Sequence, residues 1–186
     1  LFMTSWLVED FLNVNHSFDA SACLITSASS KTSIALAYCL AKRGALSRIG
    51  MTSPGNLEFC QGLGCYDQLL TYDDVSSLDP TQKSVMVDMA GSSKVISAVH
   101  HHFRENLTHS CRIGATHYED MGPLGELPGA RPEFFFAPSH VKSRSAEIGG
   151  RELMVQMGGA YAGYRIFCDG WLKIKRHSGP EAVSKI

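Results

Sequence analysis

Apolar residues recur along this chain in two rhythms. Short runs, namely Ala22-Cys23-Leu24-Ile25-Thr26, Arg48-Ile49-Gly50-Met51-Thr52, Asp67 to Tyr72, Lys83 to Asp88 and Ser110-Cys111-Arg112-Ile113-Gly114, predict strands. Between them the period changes to that of a helix. From Lys31 to Arg43, Ile34, Ala37, Tyr38 and Ala41 fall at i, i+3, i+4 and i+7, which predicts a helix with one buried stripe, stopped by Gly44. Pro54 opens a short helix carrying Leu57, Phe59, Cys60 and Leu63, and Ser93 to Asn106 predicts another with Ile96, Val99, Phe103 and Leu107 inward. Ahead of the train, Thr4-Ser5 reads as the cap of a helix over Trp6–Leu12.

Strands separated by helices make parallel βαβ units with right-handed crossovers. The expectation is an α/β fold with a doubly wound parallel sheet, Rossmann-like, whose ligands lie at the carboxyl ends of the strands. Beyond Gly114 the pattern loosens. His117 to Pro132 is rich in glycine and proline and predicts a loop. Glu133 to Pro138 predicts a sixth, outer strand, and Glu147 to about Phe167 a helix kinked at Gly158-Gly159. Trp171-Leu172-Lys173-Ile174-Lys175 alternates as a one-face-buried strand does. The expected division is therefore a Rossmann-like domain over residues 1–140 and a short C-terminal α+β extension, helix then strand, over 141–186.

Composition narrows the partners. In 186 residues with 44% hydrophobic content there is enough apolar matter for a sizeable core, and a formal net charge of -1 argues against a nucleic-acid partner. No apolar run reaches the ~18–20 residues that cross a bilayer. No basic-then-apolar leader is visible, and the cysteine usage gives the expected location as cytoplasmic. The chain opens at Leu1 rather than Met, which predicts a fragment or excised domain. Of six cysteines, Cys23, Cys39 and Cys111 sit in apolar runs, and no Cys-x-x-Cys pair exists, which predicts reduced, structural thiols. His100-His101-His102 does not predict a metal site, because consecutive helical residues point ~100° apart. It predicts a solvated helix end.

The candidate chemistry sits between the first strand and the first long helix, in Thr26-Ser27-Ala28-Ser29-Ser30-Lys31-Thr32-Ser33. Dinucleotide-binding folds place glycines in this turn, so that backbone N–H groups at the helix start receive a pyrophosphate. Here the small residues are serines, which add hydroxyl donors but take a positive φ less freely. The competing reading is a serine-rich helix cap without a ligand. A P-loop is excluded, since Ile25 stands where its first glycine belongs. At the end of the second strand stand Thr52 and Ser53, neutral where an NAD site puts a carboxylate, which favours NADP over NAD. Asp88, ending the fourth strand, reads as a turn cap or a ligand contact, and His117 as a loop histidine or a proton-transfer group.

In this order the motifs resemble the nucleotide-binding half of medium-chain dehydrogenases/reductases, in their zinc-free, quinone-oxidoreductase-like branch. The Leu24–Ser30 turn, Leu63-Gly64-Cys65-Tyr66-Asp67, Val87-Asp88-Met89-Ala90-Gly91 and Ile113-Gly114-Ala115-Thr116 carry the similarity. The serine-rich turn, Val87–Gly91 and Gly114–His117 resemble still more closely an uncharacterised family related to that branch, with members of about twice this length.

The resemblance implies an NADP(H)-binding domain of an oxidoreductase. Ser27, Ser29, Ser30, Lys31 and Thr32 would face the pyrophosphate, and Thr52, Ser53 and Tyr72 the adenosine 2′-phosphate. Ala90, Gly91, Gly114, Ala115 and Thr116 would flank the nicotinamide. It implies no metal and an unassigned small-molecule substrate, and it offers no catalytic side chain because the substrate domain is absent. Trp171 onward would pack on that domain. Ser27, Ser30 and Ser33 depart from the glycine pattern, and Pro54-Gly55-Asn56 replaces a lysine common in NADP-binding relatives. The alternative is a non-catalytic Rossmann-like module acting in protein association, with Phe134-Phe135-Phe136 on the outer strand as a homodimer edge.

Overall fold

The computed structural model describes residues 1–113 and 125–180. Six strands form one wholly parallel sheet: β1 (Ala22–Ile25), β2 (Ser47–Thr52), β3 (Gln68–Thr71), β4 (Ser84–Asp88), β5 (Leu107–Arg112) and β6 (Pro132–Phe134). Their order is β3-β2-β1-β4-β5-β6, so the chain runs outward on one side of β1, then crosses back and runs outward on the other. This is the doubly wound, Rossmann-like arrangement, and its crevice lies where the order reverses, between β1 and β4.

Helices cover both faces. On one side lie α1 (Phe2–Val14), α2 (Lys31–Arg43) and α3 (Leu57–Gly62); on the other lies α4 (Ser93–Phe103). Beyond β6, α5 (Ala137–Ile148) and α6 (Gly150–Asp169) pack on α1 and α2 through Trp6, Tyr38, Leu153 and Tyr164. Helix α2 is thus sandwiched between the sheet and this outer layer. Residues 33–40 are all buried, rather than one stripe of them, and Ala41 at the end of the expected stripe is exposed. Gly44 ends the helix in the left-handed conformation, with its N–H donated to the Leu40 carbonyl.

Several boundaries differ from expectation, each for a local reason. Helix α1 begins at Phe2, so Thr4 and Ser5 lie inside it, and the Ser5 hydroxyl ties α1 to α2 by donating to the Thr32 carbonyl at 2.7 Å. Helix α5 is not predicted by the sequence pattern, since none of its residues is fully buried and Pro138 stands in its first turn. Helix α6 runs through Gly158-Gly159 as one element. The strand expected over Trp171–Lys175 is absent: those residues are irregular, with no sheet edge beside them to pair with. Trp171 packs instead against Phe59 and Phe167.

The triple histidine is not a uniformly solvated helix end. His100 is buried, with Nδ1 3.0 Å from the Pro128 carbonyl and Nε2 2.9 Å from the Ser110 hydroxyl, and burial lowers its pKa. Only His101 is exposed. Leu107, expected on the inner face of the helix, opens β5. Among the described residues no helix is long and apolar enough to cross a membrane. Five cysteines are buried and Cys168 is partly so.

Besides Ser27 and Arg104, whose φ is positive, the backbone departs from regular geometry at two places. His16, Ser17, Phe18 and Asp19 all have φ between 51° and 57°, a run of non-glycine residues in the left-handed region. Each such residue costs about 1–2 kcal/mol, so the surrounding packing must hold the turn. Strand β5 is bulged against β4, because Ser84 aligns with Leu107 but Val85 with His109. The extra residue, Thr108, turns Leu107 toward α4 and His109 toward α1.

Candidate functional site

The first βα turn is shaped by its serines. Ser27 leaves β1 with φ 50°, the conformation that glycine usually supplies. Two tyrosines pin the turn. The Ser27 N–H donates to the Tyr72 hydroxyl at 3.0 Å, and the Tyr66 hydroxyl donates to the Ala28 carbonyl at 2.8 Å. The Ala28 N–H reaches the Met51 carbonyl of β2. Ser30 is the N-cap of α2: its hydroxyl oxygen accepts from the Ser33 N–H at 3.1 Å, and the Ser33 hydroxyl in turn donates to the Thr26 carbonyl at 2.8 Å.

One helix-start amide, that of Ser33, is therefore stoppered by a serine, and that of Ser27 by a tyrosine. The N–H groups of Ser29, Lys31 and Thr32 have no hydrogen-bond partner among the described residues. They stand at the positive end of the α2 dipole.

Across the crevice, Asp88 ends β4 and is buried. One carboxylate oxygen receives the Thr26 hydroxyl at 2.8 Å and the Ala90 N–H at 3.2 Å; the other receives the Gly91 N–H at 3.0 Å. Thr26 accepts the Met89 N–H through the same hydroxyl. Gly91 has φ 76°, so the turn after β4 is built around this carboxylate. Burial pushes the Asp88 carboxyl up, against the lowering effect of these hydrogen bonds. Both its oxygens are committed to the turn, which makes it a cap that fixes β1 against β4.

Between these turns, at the carboxyl ends of β1 to β4, lies a cleft of about 720 Å3. Ser27, Ser29, Thr52, Ser53, Tyr72 and Ala90 line it together. Thr52 is buried, and the Ser53 hydroxyl accepts from the Asn56 side chain at 3.0 Å. Ser30, Lys31, Thr32 and Gly91 adjoin the cleft in sequence without lining it. Gly114, Ala115, Thr116 and His117 lie outside the described residues.

The structure adds groups that the sequence did not single out. Lys94 and His102 reach the cleft from α4, and Asp73 from the turn after β3. Lys94 lies 3.7 Å from Asp73, both largely exposed, and the His102 Nε2 is 2.9 Å from the Leu78 carbonyl. Lys94 follows Asp88 closely, in the first turn of α4, and that position relative to β4 was its only signal. Among the described residues, no group of three His, Cys, Asp or Glu side chains converges as metal ligands.

Several solved structures share this fold. A candidate NADPH:quinone reductase from Mesorhizobium loti superposes with a TM-score of 0.60 at 12% identity, over 92% of this chain and 50% of its own. YhdH from E. coli K-12, crystallised with NADPH, gives 0.54 at 15% identity, over 80% and 48%. The quinone oxidoreductase of Thermus thermophilus, also solved with NADPH, gives 0.54 at 16%, over 91% and 60%. At such identities the likeness is one of fold. The chain spans about half the length of the first two and 60% of the third. No curated protein sequence matches it. The family profile described as "Protein of unknown function (DUF2855)" matches residues 1–186, and the chain belongs to that family.

Proposed function

We propose that this chain is the NADP(H)-binding half of a zinc-independent oxidoreductase of the quinone-oxidoreductase-like type. The observation that carries the reading is the set of unpartnered amides, Ser29, Lys31 and Thr32, at the start of α2 beside the cleft. A helix start with free N–H groups is a ready anion site, and a pyrophosphate is the anion that a Rossmann crevice is shaped to hold. The end of β2 supports NADP over NAD: Thr52 and the following Ser53 stand there without a carboxylate, and Lys94, paired with Asp73, lines the same cleft. Three of the similar structures were determined with NADPH. In this reading hydride transfer is the cofactor's chemistry, and these residues bind and orient it. The substrate side of the site would come from a further domain.

The test is thermal unfolding with and without NADPH. Binding to the folded state alone stabilises by about 2.7 kcal/mol at a hundredfold excess over Kd, so the midpoint should climb with NADPH concentration and less with NADH. A folded sample whose midpoint stays fixed at millimolar NADPH overturns the reading.

A second reading, a module for protein association, draws on the edge strand. Phe134 and Phe136 are 69% and 58% exposed on and just beyond β6, whose outer side pairs with nothing among the described residues. An apolar sheet edge of this kind tends to be covered by another chain. Sedimentation showing a dimer, together with no NADPH response, would favour it.

A further inference from the structure

We propose that the open pocket between α1, the bulged strand β5 and the edge strand β6 binds a small aromatic ammonium ion. The cavity holds about 310 Å3, the lower end of the range for small-molecule sites, and shares no lining residue with the cleft described above. Its walls are aromatic, with Phe11 on α1 and Phe134, Phe135 and Phe136 along the edge.

Two observations point to a ligand. The first is His109, which lines the cavity and is only 7% exposed. Neither of its ring nitrogens has a hydrogen-bond partner among the described residues. An imidazole this buried, with no protein partner for its nitrogens, presents them to whatever occupies the pocket. Its position is costly to build. The bulge at Thr108 turns it to this face, and Phe18, from the left-handed run His16–Asp19, stacks on it at 4.0 Å and 4°. Burial lowers the imidazole's pKa, so at neutral pH it offers one nitrogen as an acceptor.

The second is Glu133, an exposed carboxylate lining the same cavity and in no ion pair among the described residues. The other nearby carboxylate, Asp10, is already occupied by His140 and Arg144. An unpaired anion, an acceptor nitrogen and ring faces together favour a cation with a flat apolar body. An anionic ligand would meet Glu133 unfavourably. A metal ion is disfavoured, since no three His, Cys, Asp or Glu ligands converge among the described residues.

Calorimetric titration with phenethylammonium, and with phenylacetate as the same ring bearing the opposite charge, tests the proposal, with sedimentation run alongside. The expected result is saturable binding of one phenethylammonium per chain, none of phenylacetate, and movement of the His109 ring signals in NMR. Glu133→Gln should weaken binding about three- to fivefold, the worth of one partly solvated ion pair. His109→Phe should weaken it while keeping the stacked ring, and the exposed Glu133 variant carries the test if His109→Phe folds poorly. Equal binding of phenylacetate, unchanged affinity in Glu133→Gln, absence of saturable binding, or a stable dimer that seals the cavity would each overturn it.

Discussion

The Tyr72 hydroxyl lies 3.0 Å from the Ser27 amide nitrogen and accepts its hydrogen, linking the turn after β3 to the turn after β1. That amide belongs to a residue in the left-handed region, so the bond secures a backbone that a serine adopts reluctantly. Replacing Tyr72 with Phe removes the acceptor. A net hydrogen bond contributes about 0.5–1.5 kcal/mol, and urea unfolding should show a loss in that range. Ser27→Gly should lose nothing and gain up to about 1 kcal/mol, because glycine takes this φ without strain. A clear destabilisation by Ser27→Gly would contradict the conformation described.

Lys94 is the cation of the cleft, and its partner Asp73 is solvated. An exposed pair contributes at most about 1 kcal/mol to stability, so Lys94→Ala should leave the unfolding midpoint nearly unchanged. On the nucleotide-binding reading it should still weaken NADPH binding about three- to tenfold, and flatten the salt dependence of that binding. Fluorescence titration of NADPH at two ionic strengths measures both effects.

Asp10 anchors the outer layer to α1. Its carboxylate accepts from His140 Nε2 at 2.8 Å and from Arg144 Nε at 2.8 Å, with all three side chains largely buried. Burial pushes the Asp10 carboxyl up, but the hydrogen bonds from His140 and Arg144 outweigh it and hold the pKa below the usual value. A depressed folded-state pKa gives stability that is fully present above the unfolded value, about 3.9, and lost as pH falls through the folded one. Asp10→Asn should therefore cost about 1–3 kcal/mol at neutral pH, since it removes the charged acceptor of Arg144, which keeps only its contact with Glu147, and progressively less in acid. Denaturant unfolding of both forms from neutral pH to below pH ~3 follows the difference.

Gly129 has φ 78°, and a Cβ there would fall 2.1 Å from the Arg104 carbonyl oxygen. Neither the conformation nor the backbone contact can yield cheaply. Gly129→Ala should destabilise by about 2–3 kcal/mol, read as a lowered unfolding midpoint, and should loosen the adjacent Pro128 contact with His100.

The parallel sheet was legible because its central strands, β1 and β4, are buried on both faces and so read as unbroken apolar runs. Helix α2 was legible to the residue, since Ser30 and Gly44 mark its ends chemically as well as by period. Helix α5 was not, because it has little apolar face to betray it. The alternation at Trp171–Lys175 misled because strand character needs a partner edge, which lies outside any local pattern. In the cleft, the Ser27–Ser33 turn could be located from its place between strand and helix. Its division into occupied and open amides could not, because Tyr72 and Tyr66 arrive from distant turns. Lys94 and His109 were invisible for the same reason: one depends on where α4 docks, the other on a single extra residue in β5.

The sealed thiols give this molecule an internal clock. Burial pushes Cys39, Cys65 and Cys111 up to about 12, and Cys23 higher still, so almost none of these sulfurs is thiolate at neutral pH and none faces solvent. An alkylating reagent can reach Cys23 and Cys65, which line no pocket, only when the layers around the sheet part. The pace of their modification, counted by mass spectrometry, would report how often the folded chain opens, with the partly exposed Cys168 of α6 as the reference.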